Sequence, residues 1–174
     1  MKKSELRNII KEEIQDILLE LNYRDLRGRA PEYLNTREKS RETKGTQYQN
    51  IKGDTITFKT KSDTGVGTYT EKVKLLDLRK FLRSENTTKD AVKKALLGDI
   101  QVSCSCPAWK FWGYQYIGTK EKYAIEPERR SPKIRNPQLK GSICKHLDVV
   151  LYVLPFLHSR ITKELRQMRY WNTP

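Results

Sequence analysis

Near the N-terminus, apolar positions repeat at helical spacing, at Leu6, Ile10, Ile14, Ile17, Leu18 and Leu21. Positions with this spacing share one face of an α-helix, so residues 1–22 are predicted to form an amphipathic helix. Two interpretations stay open. The helix packs on its own domain, or it is an arm that docks on a partner.

The next stretch, residues 23–53, has few large apolar side chains and many mixed charges. Such a segment buries too little apolar surface to offset the entropy lost on ordering. It is therefore predicted to be a polar linker, or an arm that a partner orders.

From Asp54 the apolar positions alternate, with Ile56 and Phe58 followed by an SDTG turn signal and a second strand that contains Tyr69 and Val73. This period-two pattern predicts a β-hairpin. Further on, it is followed by a short helix over residues 75–82, a helix that starts at Thr87 or Thr88 and stops at Gly98, and a strand over residues 100–104.

After residue 144 an apolar stripe returns at helical spacing, at Leu147, Val150, Leu151, Leu154, Leu157, Ile161, Leu165 and Met168. Pro155 falls inside the stripe and predicts a kink or break there. The pattern as a whole predicts an α+β fold, in which residues 54–174 form a small antiparallel sheet with helices, including a C-terminal helix.

The net charge of the chain indicates what kinds of molecule it could bind. Lys and Arg number 35 against 21 Asp and Glu, which gives a net charge of +14 and a pI near 9.7. Such an excess of positive charge favours binding to nucleic acid or to an acidic protein surface. No stretch approaches the roughly 18 apolar residues that span a bilayer, so no membrane partner is expected. The expected location during synthesis is the cytoplasm.

The candidate chemistry lies in two short pairs, Cys104-Ser105-Cys106 and Cys144-Lys145-His146, which use all three cysteines and one of the two histidines. In a strand, residues two apart face the same side, so Cys104 and Cys106 can address one ion. In mid-helix, residues two apart lie about 200° apart. We therefore expect Cys144 in a loop and His146 in the first turn of the following helix.

The four residues are the ligand set of a structural site for one Zn²⁺, since three thiolates and an imidazole suit tetrahedral zinc. The simplest alternative treats the cysteines as small buried apolar residues. A second alternative, catalysis by Cys144 with His146 as base, lacks an orienting acid and a suitable spacing. His158 is not expected to be a ligand, because twelve residues of unbroken helix place it about 18 Å away.

The pattern C-x-C, spacer, C-x-H at Cys104, Cys106, Cys144 and His146 resembles the SWIM zinc finger, although the spacer, residues 107–143, is longer than is usual for that family. The chain also resembles small tailed-phage proteins with SWIM-like sites, over about residues 54–157. This resemblance implies a β-β-α setting and a binding module rather than an enzyme.

We call residues 107–143 the insertion. It interleaves aromatic and basic residues, a composition that can bind single-stranded nucleic acid. The alternative is that Trp109, Phe111 and Trp112 close a small core around the metal, and this is the expectation for these three. The candidate contact residues for nucleic acid or another partner are Arg129, Arg130, Lys133, Arg135 and Lys140.

The sequence thus predicts a non-catalytic zinc protein without a small-molecule substrate. The first hypothesis is a phage virion or assembly component that docks on neighbouring proteins. The alternative is a SWIM-like nucleic-acid-binding protein that uses the insertion.

Overall fold

The computed structural model describes Leu26, Thr43, residues 45–62 and residues 67–171, with side chains through residue 168. The predicted N-terminal helix lies outside these residues, as does most of the predicted linker.

The described strands form one antiparallel sheet in the spatial order β1-β2-β3-β4. Their bounds are β1 Gln47–Lys52, β2 Thr55–Lys61, β3 Thr68–Leu75 and β4 Ile100–Cys104. The pairing of β2 with β3, in register from Thr55–Lys74 to Lys61–Thr68, confirms the predicted hairpin. Strand β4 pairs with β3 and has the bounds that the sequence predicts.

The helices confirm the α+β class, although the two within the insertion were not predicted. They are α1 Leu78–Ser84, α2 Thr88–Leu97, α3 Pro107–Phe111, α4 Tyr114–Lys120, α5 Lys145–Val153 and α6 His158–Trp171. Thr87 caps α2 by accepting a hydrogen bond from the Asp90 N–H, and Gly98 follows its last residue. Between α5 and α6 the chain forms a 3₁₀ turn over Leu154–Leu157, which contains Pro155. The predicted break is therefore confirmed, because proline cannot donate the helical hydrogen bond.

The core lies on one face of the sheet. Alternation along the strands directs Ile56, Phe58, Val73 and Val102 into it, all fully buried. Helices α5 and α6 contact the sheet, and α6 also contacts α2. The apolar stripe of the C-terminal helices covers this face, and it places the start of α5 beside the end of β4.

The predicted domain boundary at residue 54 excludes β1, whereas the structure pairs β1 with β2. Ile51 on this strand is fully buried, and Leu26, also within the predicted linker, is fully buried in the same core. Strand β1 is an edge strand with mostly polar, partly exposed residues and a register shift between Tyr48 and Asn50. Its alternation is therefore too weak to predict a strand.

The insertion is folded onto the sheet edge. The Val102 N–H donates to the Tyr123 carbonyl (2.7 Å), and the Ile125 N–H donates to the Val102 carbonyl (3.0 Å). The Tyr123 hydroxyl donates to the Ser142 carbonyl at 2.6 Å. The amide of buried Asn136 donates to the Trp112 and Lys140 carbonyls. These contacts tie the middle of the insertion to β4 and to its own two ends.

Gly113 tests this packing, because its φ is +83° and a Cβ atom there would lie 2.4 Å from Cγ of Pro132. We expect Gly113→Ala to lower the free energy of unfolding by about 2–4 kcal/mol, combining left-handed backbone strain with overpacking. The matched control is Gly53→Ala, where φ is +61° and nothing lies within 4 Å. That change should cost about 1 kcal/mol, from backbone strain alone. Urea unfolding followed by tryptophan fluorescence measures both, and equal losses would show that Pro132 does not constrain this site.

Candidate metal centre

The first ligand pair lies where β4 runs into α3. Cys104 is the last residue of β4, and Cys106 is the N-cap of α3 with an extended backbone (φ −71°, ψ 153°). The extended conformation lets side chains two apart face the same side. Pro107 then begins α3, where its missing N–H costs no helical hydrogen bond.

The second pair lies at the start of α5, as predicted from the helical repeat. Cys144 is the N-cap with φ −79° and ψ 162°, and α5 begins at Lys145. His146 therefore stands in the first helical turn, where its side chain and that of Cys144 can converge. Gly141, with φ +76°, turns the chain toward this cap.

The structure brings the four predicted ligands into one cluster. The Sγ atoms of the three cysteines and a ring nitrogen of His146 all lie within 4.8 Å of one another, and all four residues are buried. His158 is not in the cluster; its Nδ1 lies 3.2 Å from the Pro155 carbonyl oxygen. The four side chains are close enough to hold one metal ion.

The imidazole of His146 gives an independent indication that the cluster binds an ion. Both ring nitrogens are buried, and neither has a hydrogen-bond partner among the described residues. One face of the ring meets Tyr69, with centroids 4.8 Å apart. A buried polar nitrogen without a partner costs roughly 1–3 kcal/mol, and a metal ion bound to it removes that cost.

Burial and mutual hydrogen bonds shift the pKa values of the three thiols in different directions. Burial raises the pKa of Cys104 and of Cys144, whereas a hydrogen bond from the Cys104 thiol lowers the pKa of Cys106. The Trp109 N–H also donates to the sulfur of Cys106 at 3.4 Å. Metal binding must therefore displace protons from the two high-pKa thiols, and affinity should fall as pH falls.

Glu71 on β3 is a neighbour of the cluster that the sequence reasoning missed. It is fully buried opposite Cys104 in the β3–β4 register, and its Oε1 lies 3.7 Å from the Cys104 sulfur. The Thr60 hydroxyl donates to its other oxygen at 3.0 Å. Burial raises the pKa of Glu71 to about 7. The signal was present in the sequence, because Glu71 shares the alternation of the buried residues Val73 and Leu75.

Trp109 is buried beside Cys106, and Trp112 is partly buried against the core, as expected. The expectation was wrong for Phe111, whose side chain is 68% exposed. Phe111 follows Trp109 by two residues in α3, which turns it about 200° away from the core.

The five candidate contact residues of the insertion are all exposed. Arg130 forms a two-point ion pair with Glu128, at 3.0 and 2.8 Å. Arg129, Lys133 and Lys140 lie on the surface of the insertion, where a binding partner can reach them.

Comparison of the chain with protein-family models, with curated proteins and with solved structures gave no significant match. Within the described residues, no helix is long and apolar enough to cross a membrane.

The two histidines provide a matched test of the centre. In a titration of the reduced protein with Co²⁺, thiolate-to-metal absorption should saturate at one equivalent per chain. His146→Ala should weaken binding more than about 100-fold, since loss of an outer hydrogen-bond partner alone costs about 10–100-fold. His158→Ala should leave the titration unchanged. The assignment would be wrong if both variants behaved like the original protein, or if only His158→Ala lost the metal.

Proposed function

We propose that the cluster holds one structural Zn²⁺ and that the protein is a non-catalytic binding module of the SWIM-like type. Support comes from the donor set, since thiolates with imidazole favour zinc. A tetrahedron with Zn–S bonds of about 2.3 Å has ligand atoms about 3.8 Å apart, which is compatible with the observed limit of 4.8 Å. All four positions come from buried side chains, as in closed structural sites.

Zinc in this position would act as a clasp. Two ligands precede the insertion and two follow it, so one ion joins the ends of residues 107–143 to β4 and to α5. The insertion also contacts β4 through Val102 and is held by the side chain of Asn136. The apolar contribution of its later half is small, with Ile134 88% exposed. A metal at the cluster would therefore add to the stabilisation of this half of the insertion, in which Ile143 is fully buried.

Hydrogen exchange with and without a zinc chelator tests the clasp. Removal of the metal should raise amide exchange first in residues 107–143 and in the first turn of α5. The β2–β3 hairpin should keep more of its protection, because none of the four candidate ligands lies on β2 or β3. Uniform loss across the sheet, or no change in the insertion, would contradict this role.

For the partner, we propose neighbouring proteins in a phage virion or assembly intermediate. The resemblance to small tailed-phage proteins supports this choice, and so do large apolar side chains on the surface. Phe111 and Ile134 are 68% and 88% exposed on the insertion, and Phe156 is 72% exposed beside Tyr152. Exposed apolar groups of this size are typical of protein contacts when they lie together, as Tyr152 and Phe156 do with ring centroids 6.1 Å apart.

Quantitative mass spectrometry of purified particles tests this partner class. The chain should be present at a fixed ratio to the major capsid protein. Tyr152→Asp combined with Phe156→Asp should lower that ratio at least about tenfold. The control combines Leu76→Asp with Leu97→Asp, two apolar residues that are each 43% exposed. Absence of the chain from particles, or equal incorporation of all variants, would contradict the proposal.

A second candidate is nucleic-acid binding through the insertion. The observation in its favour is that Arg129, Lys133 and Lys140 are exposed, with no ion pair to any described residue. In this version, changing these three residues to Gln weakens binding and lowers its salt dependence.

A further inference from the structure

A groove with a volume of about 340 Å³ lies between α2 and α6, apart from the cluster and the insertion. Its lining residues are Lys89, Ser159, Thr162, Lys163, Arg166 and Gln167. Lys89 comes from the first turn of α2, and the other residues share one face of α6 at helical spacing. The opposite side of α6 carries Ile161 and Leu165, which pack in the core.

The charges of this groove are uncompensated within the described part of the chain. Three of its lining residues are cations, and none is an acid. The acids of the two helices are engaged elsewhere. Glu164 accepts a hydrogen bond from the Tyr48 hydroxyl at 2.6 Å and lies 3.5 Å from Arg160. Asp90 accepts a hydrogen bond from the Thr87 hydroxyl at 2.6 Å.

The basic residues of α6 differ in their contacts, because Arg160 is paired whereas Lys163 and Arg166 are not. Arg160 is paired with Glu164 and lies 4.4 Å from the ring centroid of Tyr48, so it serves to fix α6 on β1. Lys163 and Arg166 point away from this contact, into the groove. Neither they nor Lys89 forms an ion pair with any described residue. None of these three cations therefore stabilises the described part of the fold through an ion pair.

The neutral residues of the groove suit an anion. Ser159 is exposed and its hydroxyl can donate, as can the amide of exposed Gln167. The hydroxyl of buried Thr162 donates to the His158 carbonyl at 2.6 Å, so this residue forms the floor rather than a ligand contact. No aromatic ring lines the groove among the described residues. Its chemistry therefore fits phosphate oxygens and not stacked bases.

We propose that the groove between α2 and α6 binds the phosphodiester backbone of nucleic acid without regard to sequence. A chain of phosphates fits better than one isolated phosphate, because exposed cations bind polyanions mainly by releasing condensed counterions. The overall charge of +14 acts in the same direction. This site is independent of the proposed protein partner and of the basic residues of the insertion.

The test uses the full zinc-loaded chain and fluorescence anisotropy with labelled DNA of two unrelated sequences, at several salt concentrations. The groove variant carries Lys89→Gln, Lys163→Gln and Arg166→Gln. The control carries Lys52→Gln, Lys59→Gln and Lys61→Gln, three exposed lysines of β1 and β2 that give the same change in net charge. A third protein carries Arg129→Gln, Lys133→Gln and Lys140→Gln in the insertion. Thermal melting verifies that each variant is folded.

We expect the original chain to bind both sequences equally. The groove variant should bind more than about tenfold more weakly, and its salt slope should be smaller by about two to three, since each lost phosphate contact lowers the slope by about 0.9. The control should change little. Equal weakening of groove and control variants would overturn the proposal, because binding would then depend on the net charge of the chain and not on the groove. An effect confined to the insertion variant would overturn it while leaving the second candidate function in place.

Competition separates other anions from the backbone. At constant ionic strength, unlabelled DNA should displace the labelled DNA, whereas inorganic phosphate or polyglutamate at the same charge concentration should not. Equal displacement by phosphate would identify a site for single anions, and equal displacement by polyglutamate would identify a surface for acidic proteins. Either result would overturn the proposal.

Discussion

Two residue pairs that are distant in sequence converge on one buried point of this fold. Cys104 and Cys106 lie where β4 runs into α3, Cys144 and His146 lie at the start of α5, and their ligand atoms are within 4.8 Å of one another. The fold achieves this by laying the C-terminal helices on the sheet, so that the start of α5 lies beside the end of β4. Whatever lies between the two pairs must then leave and return at nearly the same point. The insertion is therefore closed into a loop whose ends are fixed by the cluster.

The cluster is part of the hydrophobic core and not an appendage to it. All four ligands are buried, Trp109 packs beside them, and Glu71 and Thr60 extend their hydrogen bonds into the sheet. Burying three thiols, an imidazole without hydrogen-bond partners and a carboxyl group in one place is unfavourable for a protein alone. A bound cation changes this balance, because it stabilises the thiolates and occupies an imidazole nitrogen. Under the proposed function, metal binding and the folding of the insertion would therefore be one coupled event.

The sequence predicted the features that have a strong period or a rare composition. The apolar stripe from Leu147 to Leu165 predicted α5 and α6, Pro155 predicted the break, and the concentration of cysteine into two pairs predicted the cluster of four candidate ligands. It could not predict β1, because an edge strand exposes most of its residues and loses its alternation. Leu26 was missed because a single apolar residue in a polar segment carries no period. The exposure of Phe111 follows from the helical conformation of α3, and a helix of five residues is too short to be predicted from apolar periodicity.

X-ray absorption spectroscopy of the purified, zinc-loaded chain identifies the atoms bound to the metal. We expect three sulfur ligands at about 2.3 Å and one nitrogen ligand at about 2.0–2.1 Å, with no bound water. A shell with two or fewer sulfur atoms, or one that contains bound water, would contradict a closed site built from Cys104, Cys106, Cys144 and His146.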